Sequence, residues 1–208
     1  MKIYDCFMFY DEDLVLDLRL NILNEHVNEF IIVESKFTHS GEKRELLFNI
    51  NKYSKFKNKI NYIILDNEPK NLEVINNNDT EDKINSKYIM NALKRENYQR
   101  NEITKGLTKA DPEDLILISD VDEIPNLSNL EVNKINNEII LFKQNFYYYK
   151  LNLKLDNLPW FGTKACKYKN LKSPQWLRNI KDKNYPFWRL DVLFSDKKYS
   201  NIKFIENG

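Results

Sequence analysis

"DLILISDVDEIPN", Asp114–Asn126, changes character at its centre. Leu115 through Ile118 form a continuous apolar run, the pattern of a strand covered on both faces. Three carboxylates, Asp120, Asp122 and Glu123, then arrive within four positions. Two readings stand side by side. Carboxylates one residue apart at a strand end can converge on a hard cation, Mg²⁺ or Mn²⁺, with phosphate oxygens and water completing its shell. Such a cation would screen the negative charge that builds on a departing diphosphate. Alternatively, Asp120 or Asp122 accepts backbone N–H groups in a capped turn ahead of a short helix over Leu127–Asn136. Glu123 is expected to point away and bond the groups behind the pair.

Working outward, "KIYDCFMF" predicts a first strand ending near Phe9. Asp11 is a plausible helix cap, and Leu14, Leu18 and Ile22 recur at helical spacing after it. "FIIVE" predicts a second strand closing on Glu34, and "INYIIL" a third over Ile60–Leu65. Leu46, Leu47 and Ile50 suggest a short helix between them. Residues 66–85 are charged and Asn-rich and read as a candidate mobile loop. Ser86 could cap a long helix with Ile89, Leu93 and Ile103 on one side and Arg100 at its polar end.

"IILFK" and the aromatic "FYYYKLNLKL" add strands after the acidic stretch. Strands alternating with helices, then a strand-rich remainder, predict an α/β domain with a mostly parallel sheet and mixed C-terminal strands. Open parallel sheets bind ligands beyond the carboxyl ends of their strands. Glu34, Asp66, Asp120 and Asp122 all fall there.

The chain has 208 residues, 42% of them hydrophobic, enough for one sizeable core. Lys plus Arg number 32 against 31 Asp plus Glu, so no net field favours nucleic acid or an anionic membrane. No apolar run approaches the ~20 residues of a membrane-spanning helix. Cys6 and Cys166 have neither metal nor redox spacing and read as buried free thiols, with a single disulfide as the other reading. No glycine-rich phosphate loop is present, which argues against a dinucleotide dehydrogenase and a P-loop ATPase. With only His26 and His39, a zinc site has too few ligands.

Other stretches carry candidates. In "KRENYQRN", Arg100 and Asn101 could donate to diphosphate or sugar oxygens, supported by Gln99, or form part of a solvated helix stripe. Trp160 and Phe161 offer a sugar-stacking surface or core packing. Arg178 and Arg189, each beside a tryptophan, suit a phosphate, a glycan or ordinary packing.

Read together and in order, "IYDCFMFYDEDLVLDLRLNIL", "FIIVESKFTHSGEKREL", "ENYQRNEITKGL" and "ADPEDLILISDVDEIP" resemble the segments of glycosyltransferase family 17. Its animal members include the enzyme that adds the bisecting N-acetylglucosamine to the β-mannose of N-glycans. The resemblance implies a GT-A type Rossmann-like nucleotide-sugar-binding domain, transfer with inversion, and Mn²⁺ or Mg²⁺ held by Asp120 and Asp122. It also implies donor binding by Glu34, Ser35, Arg100, Asn101, Asp120 and Asp122. The donor it favours is a UDP-sugar, with N-acetylglucosamine as the first guess, and the acceptor a glycan or glycoconjugate; the residues' own context makes Trp160 and Arg178 the candidate acceptor contacts.

Inversion requires a base for the acceptor hydroxyl, and Asp191 in "RLDVLF" is the candidate. Family members continue past a segment like "IKFIENG", so residues 1–208 read as one domain truncated at its C-terminus. The alternative to a working transferase is therefore a catalytically impaired nucleotide-sugar or glycan-binding module. The animal enzyme is membrane-anchored, whereas these residues encode no anchor, which makes a cytoplasmic bacterial or viral relative the expectation.

Overall fold

The computed structural model describes residues 1–149, 152–155, 159–181 and 201–206. Strands β1 (Ile3–Met8), β2 (Glu29–Ser35), β3 (Ile60–Leu65) and β4 (Leu115–Ser119) form the parallel half of a sheet. Strands β5 (Ile139–Phe142), β6 (Lys164–Lys167) and β7 (Ile202–Ile205) extend it, in the order β3-β2-β1-β4-β6-β5-β7. β6 runs antiparallel to both β4 and β5, and β7 is parallel to β5. This is an α/β fold consistent with a GT-A-like Rossmann domain, as the sequence predicted.

The continuous apolar runs follow from covering on both faces. In β2, Phe30 and Ile32 enter one core while Ile31 and Val33 enter the other; in β4, Leu115 and Leu117 part from Ile116 and Ile118 in the same way. Successive residues point to opposite faces, so a strand buried on both sides has no polar position to alternate with. Each fully buried Leu or Ile contributes about 1.5–3 kcal/mol relative to exposure.

Helix α1 (Asp13–Leu23) covers the first face, but with a different stripe from the one its apolar spacing suggested. Leu14, Leu18 and Ile22 are exposed, and the buried residues are Leu16, Arg19, Leu20 and Leu23. An arginine belongs to the inward stripe because β1 carries its partner, Asp5. Helix α2 (Glu81–Asn101) starts five positions ahead of Ser86, after Thr80. Ile89 and Leu93 are exposed on it, whereas Asn91, Gln99 and Arg100 are buried; Ile103 is buried in the 3-10 segment Glu102–Lys109 that follows. Polar bonds, more than an apolar stripe, therefore seat α2.

The Asn-rich segment before α2 is tied to it. The Asn91 side chain accepts from Glu73 N at 2.6 Å and donates to Glu73 O at 2.9 Å. No helix forms at Leu46 and Leu47; a 3-10 segment spans Ile50–Lys59 instead. The stretch from Leu127 to Asn136 has one 3-10 turn, Val132–Lys134, in place of the expected helix, although Leu127 and Ile135 are buried as that helix required. Tyr147 and Lys154 make an isolated antiparallel bridge where the aromatic run suggested a strand.

Candidate active site

The acidic turn after β4 is shaped from below by Arg19. Its Nε and Nη2 donate to the two carboxylate oxygens of Asp5 at 2.8 and 2.6 Å, and both side chains are fully buried. Nη1 lies 3.1 Å from each of the carbonyl oxygens of Asp120, Val121 and Glu123, while Nη2 reaches Ser119 Oγ at 2.5 Å. One planar cation thus gathers three carbonyls where β4 ends, adding to the bonds Asp120 O takes from Glu123 N and Glu123 O from Thr163 Oγ1. Neither residue was picked out from sequence. The available signal was an aspartate inside a strand-like run, with an arginine on the next predicted helix.

Glu123 completes the turn from above. It is 7% exposed. Its Oε2 accepts Asp120 N at 2.9 Å, and its Oε1 accepts Trp160 Nε1 at 3.0 Å and Arg178 Nη2 at 2.8 Å. Thr163 Oγ1 donates to the Glu123 carbonyl at 2.7 Å. The capping role weighed for Asp120 and Asp122 therefore belongs to Glu123. Gly162 makes this closeness feasible, since a Cβ there would lie 2.5 Å from Glu123 Cδ and 2.6 Å from Gln144 Oε1.

Asp120 and Asp122 are left at the surface of the turn. Asp120 Oδ1 accepts Arg100 Nη2 at 3.1 Å and Oδ2 accepts Arg178 Nη2 at 2.7 Å. The Asp122 carboxylate is exposed and has no hydrogen bond or ion pair among the described residues. Arg178 is held above its ordinary pKa: burial pulls it down, but the charges of Asp120 and Glu123 outweigh that.

The other sequence candidates divide. Arg100 is 3% exposed and also holds Glu96 at 2.9 Å and Gln175 Oε1 at 2.5 Å. Asn101 turns toward helix α3 (Pro174–Asn179), where its Oδ1 accepts Gln175 N at 3.0 Å. Gln99 Nε2 donates to Val33 O at 3.0 Å, fixing α2 to the end of β2.

Glu34 is fully buried, and its oxygens take Leu47 N at 2.8 Å, Phe48 N at 3.1 Å, Tyr62 Oη at 2.7 Å and the Arg44 guanidinium at 2.9 Å. It organises the loop after β2 from beneath, and burial together with its charge raises the Tyr62 hydroxyl pKa. Ser35 Oγ accepts Phe37 N at 3.1 Å. Asp191 and Arg189 lie outside the described residues.

Two cavities meet at the acidic pair. A cleft of about 650 Å³ over the ends of β1 and β2 is lined by Phe9, Tyr10, Ser35 and His39, and ends at Asp120 and Asp122. A second cavity, about 440 Å³, begins at the same two carboxylates and runs past Gln144 to Phe146 and Trp160. The Trp160 ring lies 5.3 Å from that of Phe146 and is 38% exposed. A third, about 520 Å³, lies between α2 and α3, with Arg100, Trp160 and Arg178 in its wall.

No group of three or more His, Cys, Asp or Glu side chains among the described residues is arranged to hold a metal. The donors at the turn nevertheless have the oxygen chemistry of a hard-cation site: Asp122 is uncommitted among the described residues, and Asp120 adds a carboxylate whose two oxygens are held by Arg100 and Arg178. Two protein oxygens leave most of the shell to phosphate and water, as a cation bound through a diphosphate requires. Cys6 and Cys166 are free and buried, and burial pushes the Cys166 thiol up to about 12. No helix among the described residues is long and apolar enough to cross a membrane.

No match was found among curated proteins. The sequence model described as glycosyltransferase family 17 matches residues 1–179, which include both edges of the main cleft, the acidic turn, Trp160 and Arg178. With that match spanning most of the 208 residues, and with an α/β sheet presenting its acidic turn between two cavities, the chain belongs to glycosyltransferase family 17 and is a transferase.

Proposed function

We propose that the chain transfers a sugar, taken first as N-acetylglucosamine, from a UDP-linked donor to a glycan acceptor, with inversion and with Mn²⁺ or Mg²⁺ at Asp120 and Asp122. The observation that carries this reading is the wall that Asp120 and Asp122 share between two cavities. The cleft over β1 and β2 has room for a nucleoside, with aromatic and hydroxyl groups to hold it. The cavity beyond the carboxylates offers Trp160 and Phe146 as faces for an acceptor sugar ring, with Gln144 as a polar contact. A diphosphate joining nucleoside to sugar would then lie beside Asp120 and Asp122, and the bond to be broken would face the acceptor side.

Each residue's task follows from its setting. Ser35 and the Thr38–Gly41 turn border the nucleoside, and Glu34 holds that region in place through Arg44, which donates to Ser35 O at 3.0 Å and Tyr10 O at 2.6 Å. Arg100 adds positive charge behind Asp120, and Asn101 supports it by fixing Gln175. A divalent cation would neutralise the departing diphosphate. Asp191 is assigned as the base that accepts the acceptor proton, supported by its place downstream of the donor motifs.

Calorimetry of UDP and UDP-N-acetylglucosamine binding, with and without Mn²⁺, tests the donor half. Cation-dependent binding that is lost in Asp122→Asn is expected. Cation-independent binding, unchanged in that variant, would remove the metal from the reading. Transfer assays with Asp191→Asn test the base: a loss of turnover with donor affinity retained is expected.

A further inference from the structure

Asp120 is not a free carboxylate. Each of its oxygens already carries a guanidinium, from Arg100 at 3.1 Å and Arg178 at 2.7 Å. Any dication approaching Asp120 therefore meets two positive groups at the same side chain, and like charges at that range repel strongly where burial limits screening. The turn holds three carboxylates, Asp120, Asp122 and Glu123, against these two arginines.

The two arginines differ in how they are held. Arg100 is gripped by Glu96, Gln175 and Asp120, with its side chain 3% exposed. Arg178 is 16% exposed and stands near the end of the short helix α3. Its Nη2 is shared between Asp120 and Glu123, and its Nη1 donates to Gly162 O. Glu123 is independently fixed by Trp160 Nε1 and Asp120 N. The Arg178 guanidinium can thus release Asp120 while Glu123 keeps it at the turn.

We propose that Arg178 is a diphosphate-binding residue which, without donor, occupies Asp120 in the cation's stead. On donor binding its guanidinium exchanges the Asp120 carboxylate for phosphate oxygens, and the freed oxygen becomes available to the divalent cation. Cation and nucleoside diphosphate then bind as a coupled pair, each raising the other's affinity by the same factor. A planar fork suits both partners, since carboxylate and phosphate present similar pairs of oxygens. This inference rests on the proposed donor chemistry and extends it to a residue that the sequence alone places among the acceptor contacts.

The test is calorimetry with Mn²⁺ alone, UDP alone and both together, on the wild type, Arg178→Gln and Arg178→Lys. In the wild type, UDP is expected to raise Mn²⁺ affinity at least tenfold. Arg178→Gln is expected to bind Mn²⁺ alone at least threefold tighter than the wild type, to bind UDP more weakly, and to lose most of the coupling. Arg178→Lys keeps the charge without the fork and should fall between them; it decides the matter if the glutamine variant does not fold. Mn²⁺-alone affinity that is unchanged or weaker in the folded variants, or coupling that persists undiminished, would overturn the inference. Inorganic diphosphate is titrated in parallel. Coupling of Mn²⁺ to diphosphate through Arg178, without any UDP binding, would sink the nucleotide reading while supporting the role of Arg178.

Discussion

Arg19 and Asp5 form a fully buried, two-point ion pair directly beneath the carbonyls of the acidic turn. The pair couples fold to site, because the same guanidinium closes a core charge and holds Asp120, Val121 and Glu123 in place.

Arg19→Met should therefore destabilise the protein by about 3–5 kcal/mol, since it leaves the Asp5 charge buried and unpaired. For a chain of this size that is a fall in melting temperature of roughly 6–20 °C. The double variant Asp5→Asn/Arg19→Met should recover part of the loss by removing the stranded charge. Thermal melts of the three proteins check this, and a double variant no more stable than Arg19→Met would argue against the pair as the cause.

Gly162→Ala tests the approach of the β5–β6 connection to Glu123. The added methyl would sit 2.5 Å from Glu123 Cδ and 2.6 Å from Gln144 Oε1, so one of them must move. A stability cost of about 1–3 kcal/mol is expected from overpacking. Turnover should fall more than donor affinity, because the group displaced orients the turn rather than lining the nucleoside cleft. Steady-state kinetics beside a denaturant titration separate the two effects.

The sheet was legible because a strand buried on both faces leaves a continuous apolar run; Leu115 to Ile118 and Phe30 to Val33 carry that mark. Asp120 and Asp122 were legible because they leave such a strand at its ligand-facing end. Asp5 and Arg19 were not, since each looks misplaced until the partner from the neighbouring element is known. The same holds for α2, where Asn91, Gln99 and Arg100 are buried through bonds to other segments while Ile89 faces solvent. Periodicity finds apolar faces, and a helix mounted through polar bonds has none to find. Glu123 was expected to bond behind the pair, but its anchoring by Trp160 and Arg178 depends on chain that returns 37 and 55 residues later, a range local pattern does not reach.

Acid sensitivity should include a contribution from the turn that leads into β4. Glu113 bonds Lys167 at 2.8 Å and Lys169 at 2.5 Å, and these partners lower its pKa from 4.5 to about 2. A depressed carboxylate gives stability that is present above its unfolded pKa and is lost as pH falls toward its folded one. The contribution should thus disappear between about pH 4.5 and 2, and added salt should weaken it because the group is exposed. Glu113→Gln should flatten the stability profile in that window, and an unchanged slope would show that Glu113 is not a source of it.

Trp160 has two separable duties in the proposed site. Its indole N–H holds Glu123 at 3.0 Å, and its ring faces the second cavity. Trp160→Phe keeps an aromatic face and drops the hydrogen bond, so turnover should fall with little change in acceptor KM. Trp160→Ala removes both, and acceptor KM should rise roughly 2- to 12-fold if ring stacking contributes about 0.5–1.5 kcal/mol. Equal acceptor KM in all three proteins would move the acceptor away from this wall.

Asp120 and Asp122 should separate structure from function most cleanly. Asp120 is the shared partner of Arg100 and Arg178, so Asp120→Asn weakens two charge-assisted bonds at once. Its side chain is 39% exposed, which screens the loss and keeps the expected destabilisation to about 1–2 kcal/mol. Asp122 is exposed and makes no such bond among the described residues, so Asp122→Asn should leave stability within about 0.5 kcal/mol. If both carboxylates hold the cation, the two variants nevertheless lose Mn²⁺-dependent UDP binding alike. Melting curves and calorimetry on the same preparations read both properties, and an Asp122→Asn protein that keeps wild-type coupling of Mn²⁺ to UDP would assign the cation to Asp120 without its neighbour.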